Sequence, residues 1–87
     1  MHELTLLNDL LKKVREVADK RPVKSVSVWL GAMSHISASH FKEHFDWATK
    51  DSELEGVALN IETSEDAFHP QAQDILLKSV DIDSGVN

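Results

Sequence analysis

The first three residues offer the densest set of metal donors in the chain. Met1-His2-Glu3 places an imidazole one residue from the terminal amine, and Met1 is expected to be retained because His2 is too large for terminal processing. The Met1 amine, the His2 backbone nitrogen and the His2 ring can close two fused chelate rings on one ion, with the Glu3 backbone nitrogen as fourth donor. Such a nitrogen plane favours Ni(II) or Cu(II) over zinc, magnesium or calcium. The alternative is an incidental surface histidine.

Four further histidines are candidates for secondary metal ligands: His35, His40, His44 and His69. His40 and His44 are four residues apart, a spacing that places two imidazoles side by side on a helix. His35 is expected near them, at the start of the same helix. His69 precedes Pro70 in a polar turn, where it reaches the terminus only if the turn folds that way. Exposed polar surface remains the simpler interpretation of all four.

Composition excludes several classes of protein. The 87 residues make one small domain. They include no cysteine, which excludes disulfides and thiolate zinc sites. A net charge of -6 argues against nucleic acid or an anionic membrane as partner. No apolar run approaches the roughly 20 residues that span a bilayer, and charges at Glu3 and Asp9 interrupt any signal peptide. We therefore expect a cytoplasmic protein.

Hydrophobic spacing predicts two helices. The first has its apolar face at i, i+3, i+4 and i+7, with Thr5 as cap and an end near Lys20, before Pro22. Its apolar residues are Leu7, Leu10, Leu11, Val14, Val17 and Ala18. The second runs from about Ser37 to Lys50, with Ser37 or Ser39 as its cap. Phe41, Phe45 and Ala48 are expected to be buried, with Trp47 on a flank.

Period-two alternation predicts three strands. The first is 23–30, with Val26, Val28 and Leu30 on one face; the second follows Gly56; the third is 75–83. In the third, Leu76, Val80 and Ile82 share a face with Lys78, which interrupts the pattern. Strands one and two are expected to be parallel, and strands two and three to form an antiparallel hairpin. The fold class is α+β: two layers, with a small mixed three-stranded sheet and two helices on one face.

The uncovered face of this sheet is predicted to be acidic and largely polar, with one tryptophan. Trp29 is therefore the expected partner-contact residue. Catalysis is not expected, because no nucleophile is placed with a base: adjacency of Ser34 and His35 in sequence does not make a triad. A small hydrolase is thus the weakest of the alternatives.

Several blocks of the sequence resemble the HypA/HybF-type nickel metallochaperones, which help to mature nickel-iron hydrogenases and, in some bacteria, urease. The opening MHELTLL is similar to the start of that family, where MHE is the nickel-binding signature. The segments 28–34, with Phe41, Phe45 and Asp46 after it, and 54–62 resemble its strand-and-helix block and its next strand. Segment 75–83 is similar to its closing strand.

One departure from the family is large. Its members insert a zinc ribbon with two CxxC pairs between the last two strands, and here the interval from about 64 to 74 is a short turn without cysteine. Whether this reflects natural loss or engineering, residues 1–83 are expected to form a single nickel-binding domain, followed by a loose tail at 84–87. No zinc is expected.

The resemblance implies a protein that carries Ni(II) to a nickel enzyme and is not itself an enzyme. It implies that His2 is the nickel ligand and that Glu3 accompanies it, next to Met1. The implied partners are a GTP-hydrolysing nickel accessory protein and a hydrogenase or urease client, and an unpaired sheet edge allows a homodimer. The alternative from another class is a metal-independent protein-interaction domain of a maturation complex.

Overall fold

The chain folds into five elements in the order helix, strand, helix, strand, strand. The computed structural model describes the backbone of residues 3–83 and the side chains from Thr5 onward within that range. The elements are α1 (Glu3–Ala18), β1 (Val23–Leu30), α2 (Ala38–Thr49), β2 (Ala58–Thr63) and β3 (Ile75–Ile82). The predicted tail at 84–87 lies outside the described residues.

Helix α1 begins earlier than the sequence predicts. Because Glu3 is already helical, Thr5 lies inside the first turn and the prediction that it caps the helix is wrong. At the other end, Asp19 and Lys20 both adopt left-handed backbone angles (φ 51° and 69°), which stops the helix. The Arg21 guanidinium donates to the carbonyl oxygens of Val17 and Ala18 at 2.8 and 2.7 Å, and so caps the helix end.

Strand β1 lies in the centre of the sheet, whose order is β2-β1-β3. It pairs with β2 in parallel, as predicted, and with β3 antiparallel. The predicted hairpin between β2 and β3 is therefore wrong. Residues 64–74 instead cross the end of β1: Ser64 N–H donates to the Leu30 carbonyl at 2.9 Å, and Gly31 N–H to the Asp74 carbonyl at 2.9 Å. Strand β1, which contributes more buried residues to the core than the other two strands, is thus hydrogen-bonded along both edges.

A β-bulge in β3 explains the interruption of its pattern at Lys78. Ser27 pairs with Ser79 but Val28 pairs with Leu77, so Lys78 is an extra residue on β3. The bulge changes which residues face the helices, and Leu77 joins Val80 against the core. Leu76 moves to the other face, where it is the register partner of Trp29. The prediction that Leu76, Lys78, Val80 and Ile82 share a face is wrong for this reason.

Both helices pack on the same face of the sheet, around one hydrophobic cluster. The predicted α+β class, two layers and mixed three-stranded sheet are confirmed. The buried cluster consists of Leu7, Leu10, Leu11, Val14, Val26, Val28, Leu30, Phe41, Phe45, Leu54 and Ile75.

Two positions differ from the predicted helix faces. Ala48 is exposed, and its expected place in α2 is taken by Thr49, which is 1 % exposed. The Thr49 hydroxyl donates to the Phe45 carbonyl at 2.9 Å, so its polar atom is satisfied within the helix. Val17 is half exposed although it lies on the apolar side of α1. Within residues 3–83, neither helix is long and apolar enough to cross a membrane.

Candidate metal-binding sites

The predicted terminal site begins outside the described part of the chain. Met1 and His2 are not described, and neither is the side chain of Glu3. The Glu3 backbone, however, is the first residue of α1. The first four N–H groups of an α-helix have no acceptor within the helix. The Glu3 amide nitrogen can therefore become a metal donor without breaking a helical hydrogen bond.

The topology brings the starts of both helices to one end of the sheet. Helix α1 reaches β1 through residues 19–22, and its buried side chains from Leu7 to Ala18 lie along the core, so it runs back over the strands. Helix α2 follows the other end of β1 after residues 31–37 and likewise returns over the sheet. Glu3 and the N-cap of α2 therefore both lie towards the carboxyl end of β1.

Helix α2 holds two of the predicted histidines in a fixed relation. Ser37 is the N-cap, with extended backbone, and its hydroxyl accepts a hydrogen bond from the His40 N–H at 3.1 Å. Phe41 and Phe45 anchor the helix in the core at about 1 % exposure each. His40 and His44 are each one residue before these anchors, so the buried phenylalanines orient the turn that carries them.

The rings of His40 and His44 meet directly. Their Nε2 atoms are 2.9 Å apart, and the ring centroids are 4.6 Å apart with planes inclined by 44°. At this distance the Nε2–H of one ring can donate to the Nε2 of the other, and which ring donates depends on their tautomers. The i, i+4 prediction for this pair is confirmed.

His35 does not join this pair. It lies exposed in the loop before α2 with a left-handed φ of 64°. Among the residues that the structure describes, no group of three or more histidine, aspartate or glutamate side chains is placed to hold a metal ion. The predicted cluster of His35, His40 and His44 is therefore reduced to two members.

His69 is held on the opposite side of the sheet, against Trp29. The ring centroids are 4.9 Å apart, and Gln71 N–H donates to His69 Nδ1 at 2.9 Å. Because Nδ1 accepts this bond, the ring proton of the neutral form is on Nε2. His69 thus packs on the open face of the sheet and not with His40 and His44.

Trp29, the predicted partner contact, is half buried and partly covered by His69. Two other aromatic side chains are far more exposed: Trp47 at 80 % and Phe68 at 96 %. Sequence reasoning placed Trp47 on a flank and passed over Phe68. The available signal was an isolated phenylalanine inside the polar stretch 64–73.

Ion pairs neutralise part of the acidic surface. On the open face Lys78 pairs with Glu62, and Ser25 donates to Asp81 at 3.3 Å. At the far end of α1, the Arg15 guanidinium contacts Glu53 at 2.7 Å. The hydrogen bond from Arg15 is the main cause that lowers the pKa of Glu53 from its ordinary value. These groups are exposed, and none of them is poised for acid–base catalysis.

Comparison with known proteins identifies a family whose model covers the opening residues. The model of the family described as hydrogenase/urease nickel incorporation, metallochaperone, HypA matches residues 1–72. The chain belongs to the HypA family. The match includes Met1-His2-Glu3 and stops before β3, so it does not cover the predicted likeness of segment 75–83.

Two individual proteins are similar to the chain. The hydrogenase maturation factor HypA of Rippkaea orientalis is 36 % identical over 61 residues, which cover 70 % of this chain and 54 % of that protein. The chain therefore spans about half the length of this relative. The solution structure of the Ni metallochaperone HypA from Helicobacter pylori matches with a TM-score of 0.71 at 19 % identity, covering 94 % of this chain and 97 % of that one. This second likeness shows that the fold is shared.

Proposed function

We propose that this chain binds Ni(II) at its N-terminus and delivers it for maturation of a nickel enzyme such as a nickel-iron hydrogenase. The observation that carries the proposal is the match to the HypA family from residue 1, because it includes the Met1-His2-Glu3 donors. The ligands are the Met1 amine, the His2 backbone and ring nitrogens, and the Glu3 backbone nitrogen. The ion is cargo that is bound and passed on.

The start of α1 supports this ligand set on energetic grounds. The positive end of the helix dipole disfavours a nearby cation. Ni(II) bound by two deprotonated amide nitrogens, those of His2 and Glu3, forms a complex without net charge at the coordination plane. Because the loaded site then has no net charge, the helix dipole destabilises it only slightly. The helix also fixes the position of the Glu3 backbone, so this donor costs little additional conformational entropy on binding.

The proposed setting follows from the family. The partners are a GTP-hydrolysing nickel accessory protein and a hydrogenase or urease client, met in the cytoplasm. Residues 1–83 act as a single nickel-binding domain without a zinc ribbon in the interval 64–74, and the chain performs no bond chemistry of its own. The free edges of β2 and β3 are where a homodimer would form.

A calorimetric titration with Ni(II) tests the terminal site. Three proteins are compared, each with its N-terminus verified by mass spectrometry: the authentic chain, the chain with four glycines ahead of Met1, which carry the free amine out of reach of His2, and His2→Ala. Loss of the amine or of the imidazole removes a chelate ring, and we expect affinity to fall at least roughly tenfold, or 1.4 kcal/mol, in each variant. His69→Ala is the matched control, because this histidine lies on the open face. Equal affinity in all four proteins would rule out the terminus as the nickel site.

Nickel affinity is also expected to depend on pH. The amine and the imidazole bind protons that the metal must displace, so affinity should decrease as the pH falls from about 8 to about 6. Repeating the titration across this range measures the number of protons released. A pH-independent affinity would contradict nitrogen ligation at the terminus.

The exposed aromatic residues support a second candidate function, a metal-independent interaction domain. Trp47 and Phe68 are far more exposed than their apolar surfaces would favour in an isolated chain. This function predicts that a maturation partner binds the metal-free chain and that binding weakens in Trp47→Ala or Phe68→Ala. Intact partner binding together with no nickel binding at micromolar concentration would favour it over nickel delivery.

A further inference from the structure

Two imidazoles already converge on one point of the surface of α2. The His40 and His44 Nε2 atoms lie 2.9 Å apart, one helical turn from each other. Each of them is followed by a buried phenylalanine, so the helical turn that carries them cannot rotate without disturbing the core. Both side chains lie at the solvent-facing surface, where an ion can reach them.

The separation of the two nitrogens matches adjacent positions around a metal. With metal–nitrogen bonds of about 2.05 Å, a 2.9 Å separation corresponds to an N–metal–N angle of about 90°. Square-planar and octahedral ions require this angle between neighbouring ligands, whereas tetrahedral zinc would require nitrogens about 3.3 Å apart. The proton shared between the rings would be displaced, and each ring would turn so that both lone pairs meet at the ion.

The chemistry of the donors narrows the choice further. Imidazole nitrogen suits nickel, copper and zinc, and the affinity of such donors rises from nickel to copper. Magnesium and calcium prefer oxygen ligands. No third side chain among the described residues completes the site, so the two imidazoles fill two positions and leave the others open to exchangeable ligands such as water. A chelate of this kind is open and readily exchanged.

We propose that His40 and His44 form a second, bidentate site on α2 for Ni(II) or Cu(II), separate from the terminal site. This inference goes beyond the proposed function, because its donors lie on another element and need neither the amine nor His2. The ion is held by two Nε2 atoms in adjacent positions and by exchangeable ligands elsewhere.

The test uses the full chain with four glycines ahead of Met1, so that the free amine lies too far from His2 to share a chelate with it. Ni(II) alone is titrated while the histidine ring protons are followed by NMR, because a nearby paramagnetic ion broadens them. We expect the signals of His40 and His44 to broaden together, before those of His35 and His69. Mg(II) at the same concentration should leave them unchanged.

Matched variants separate chelation from binding by single imidazoles. His40→Gln and His44→Gln should each weaken Ni(II) binding at α2 at least tenfold, because either change removes the chelate. His69→Gln should leave it within twofold. Ala48 is exposed and four residues after His44, so adding Ala48→His to His40→Gln should restore the affinity by rebuilding the spacing one turn later. Glutamine is a good helix former, and circular dichroism checks that α2 is retained.

The outcomes distinguish this proposal from nickel binding at the terminus. In the authentic chain, His2→Ala should remove the tighter site and leave broadening at His40 and His44. Broadening that disappears with His2→Ala, or single glutamine variants that lose only about half the affinity, would overturn the α2 site. So would failure of the His44/Ala48→His pair to restore binding. None of these results alters the titration of the terminal site.

Discussion

The contact between Gly31 and the crossing segment 64–74 gives the sharpest prediction of stability. A Cβ added at Gly31 would lie 2.1 Å from the Ala72 carbonyl oxygen and 2.8 Å from that of Gln71. Both are backbone atoms, so the segment has to move. That movement strains the hydrogen bonds from Gly31 N–H to Asp74 and from Met33 N–H to Ala72, which are 2.9 and 2.7 Å long.

The cost of Gly31→Ala can be worked out from these parts. Overpacking a tight site costs about 1–3 kcal/mol, and each lost hydrogen bond adds about 0.5–1.5 kcal/mol. The free energy of unfolding should therefore fall by roughly 2–6 kcal/mol. A domain of this size has roughly 4–13 kcal/mol in total, so the loss is a large fraction of its stability.

Urea unfolding and amide exchange measure this effect, with Gly56 as the matched control. Gly56 has a φ of 80° and nothing within 4 Å of an added Cβ, so Gly56→Ala should cost only the left-handed penalty of about 1–2 kcal/mol. Asparagine tolerates that conformation, so Gly56→Asn should cost less, whereas Gly31→Asn should be as harmful as Gly31→Ala. The Gly31 and Met33 amides should lose protection in Gly31→Ala. A cost no greater than that of Gly56→Ala, with both amides still protected, would refute the steric argument.

Two further predictions concern side chains. Thr49→Val removes the buried hydroxyl that donates to the Phe45 carbonyl, so the free energy of unfolding should fall by about 0.5–1.5 kcal/mol. Thr49→Ser keeps the hydroxyl and should stay closer to wild type. Urea titration measures both variants, and a larger loss in Thr49→Ser would contradict this account. The pKa of Glu53 is lowered by Arg15, so Arg15→Gln should raise it in an NMR titration. A carboxyl group whose pKa is lower in the folded than in the unfolded state stabilises the fold at pH values above its unfolded-state pKa, and this stabilisation is lost as the pH falls through its folded-state pKa. Arg15→Gln should therefore make the free energy of unfolding less sensitive to acid. An unchanged acid profile would show that the ion pair contributes nothing.

The sequence predicted those features that depend on local patterns. The bounds of β1 and the burial of Val26, Val28 and Leu30 follow from alternation with β-branched residues. Helix α2 follows from its serine cap and the phenylalanine spacing, and this helix also brings His40 and His44 together as predicted. In these segments local preference and tertiary packing agree.

The sequence pattern could not predict how strands that are far apart in the chain pair with one another. Nearness along the chain favoured a hairpin of β2 with β3, but β3 pairs with the central strand, because its apolar face then joins the cluster that both helices cover. The interruption at Lys78 was visible as a misfit, yet only pairing with β1 shows that it is a bulge. The contact of His69 with Trp29 likewise depends on the path of the crossing segment.

The path of the crossing segment 64–74 determines where additional residues can be inserted into this fold. Residues 65–68 are exposed, and the hydrogen bonds that fasten the segment lie on either side of them, at Ser64 and from Ala72 onward. Extra chain entering at this point would leave the strand pairing intact. Lengthening the segment by about forty residues raises the entropic free-energy cost of closing this loop by only about 1.4 kcal/mol. The sheet therefore tolerates modules of very different length at this junction, while the pairing of β1 with β2 and β3 is kept.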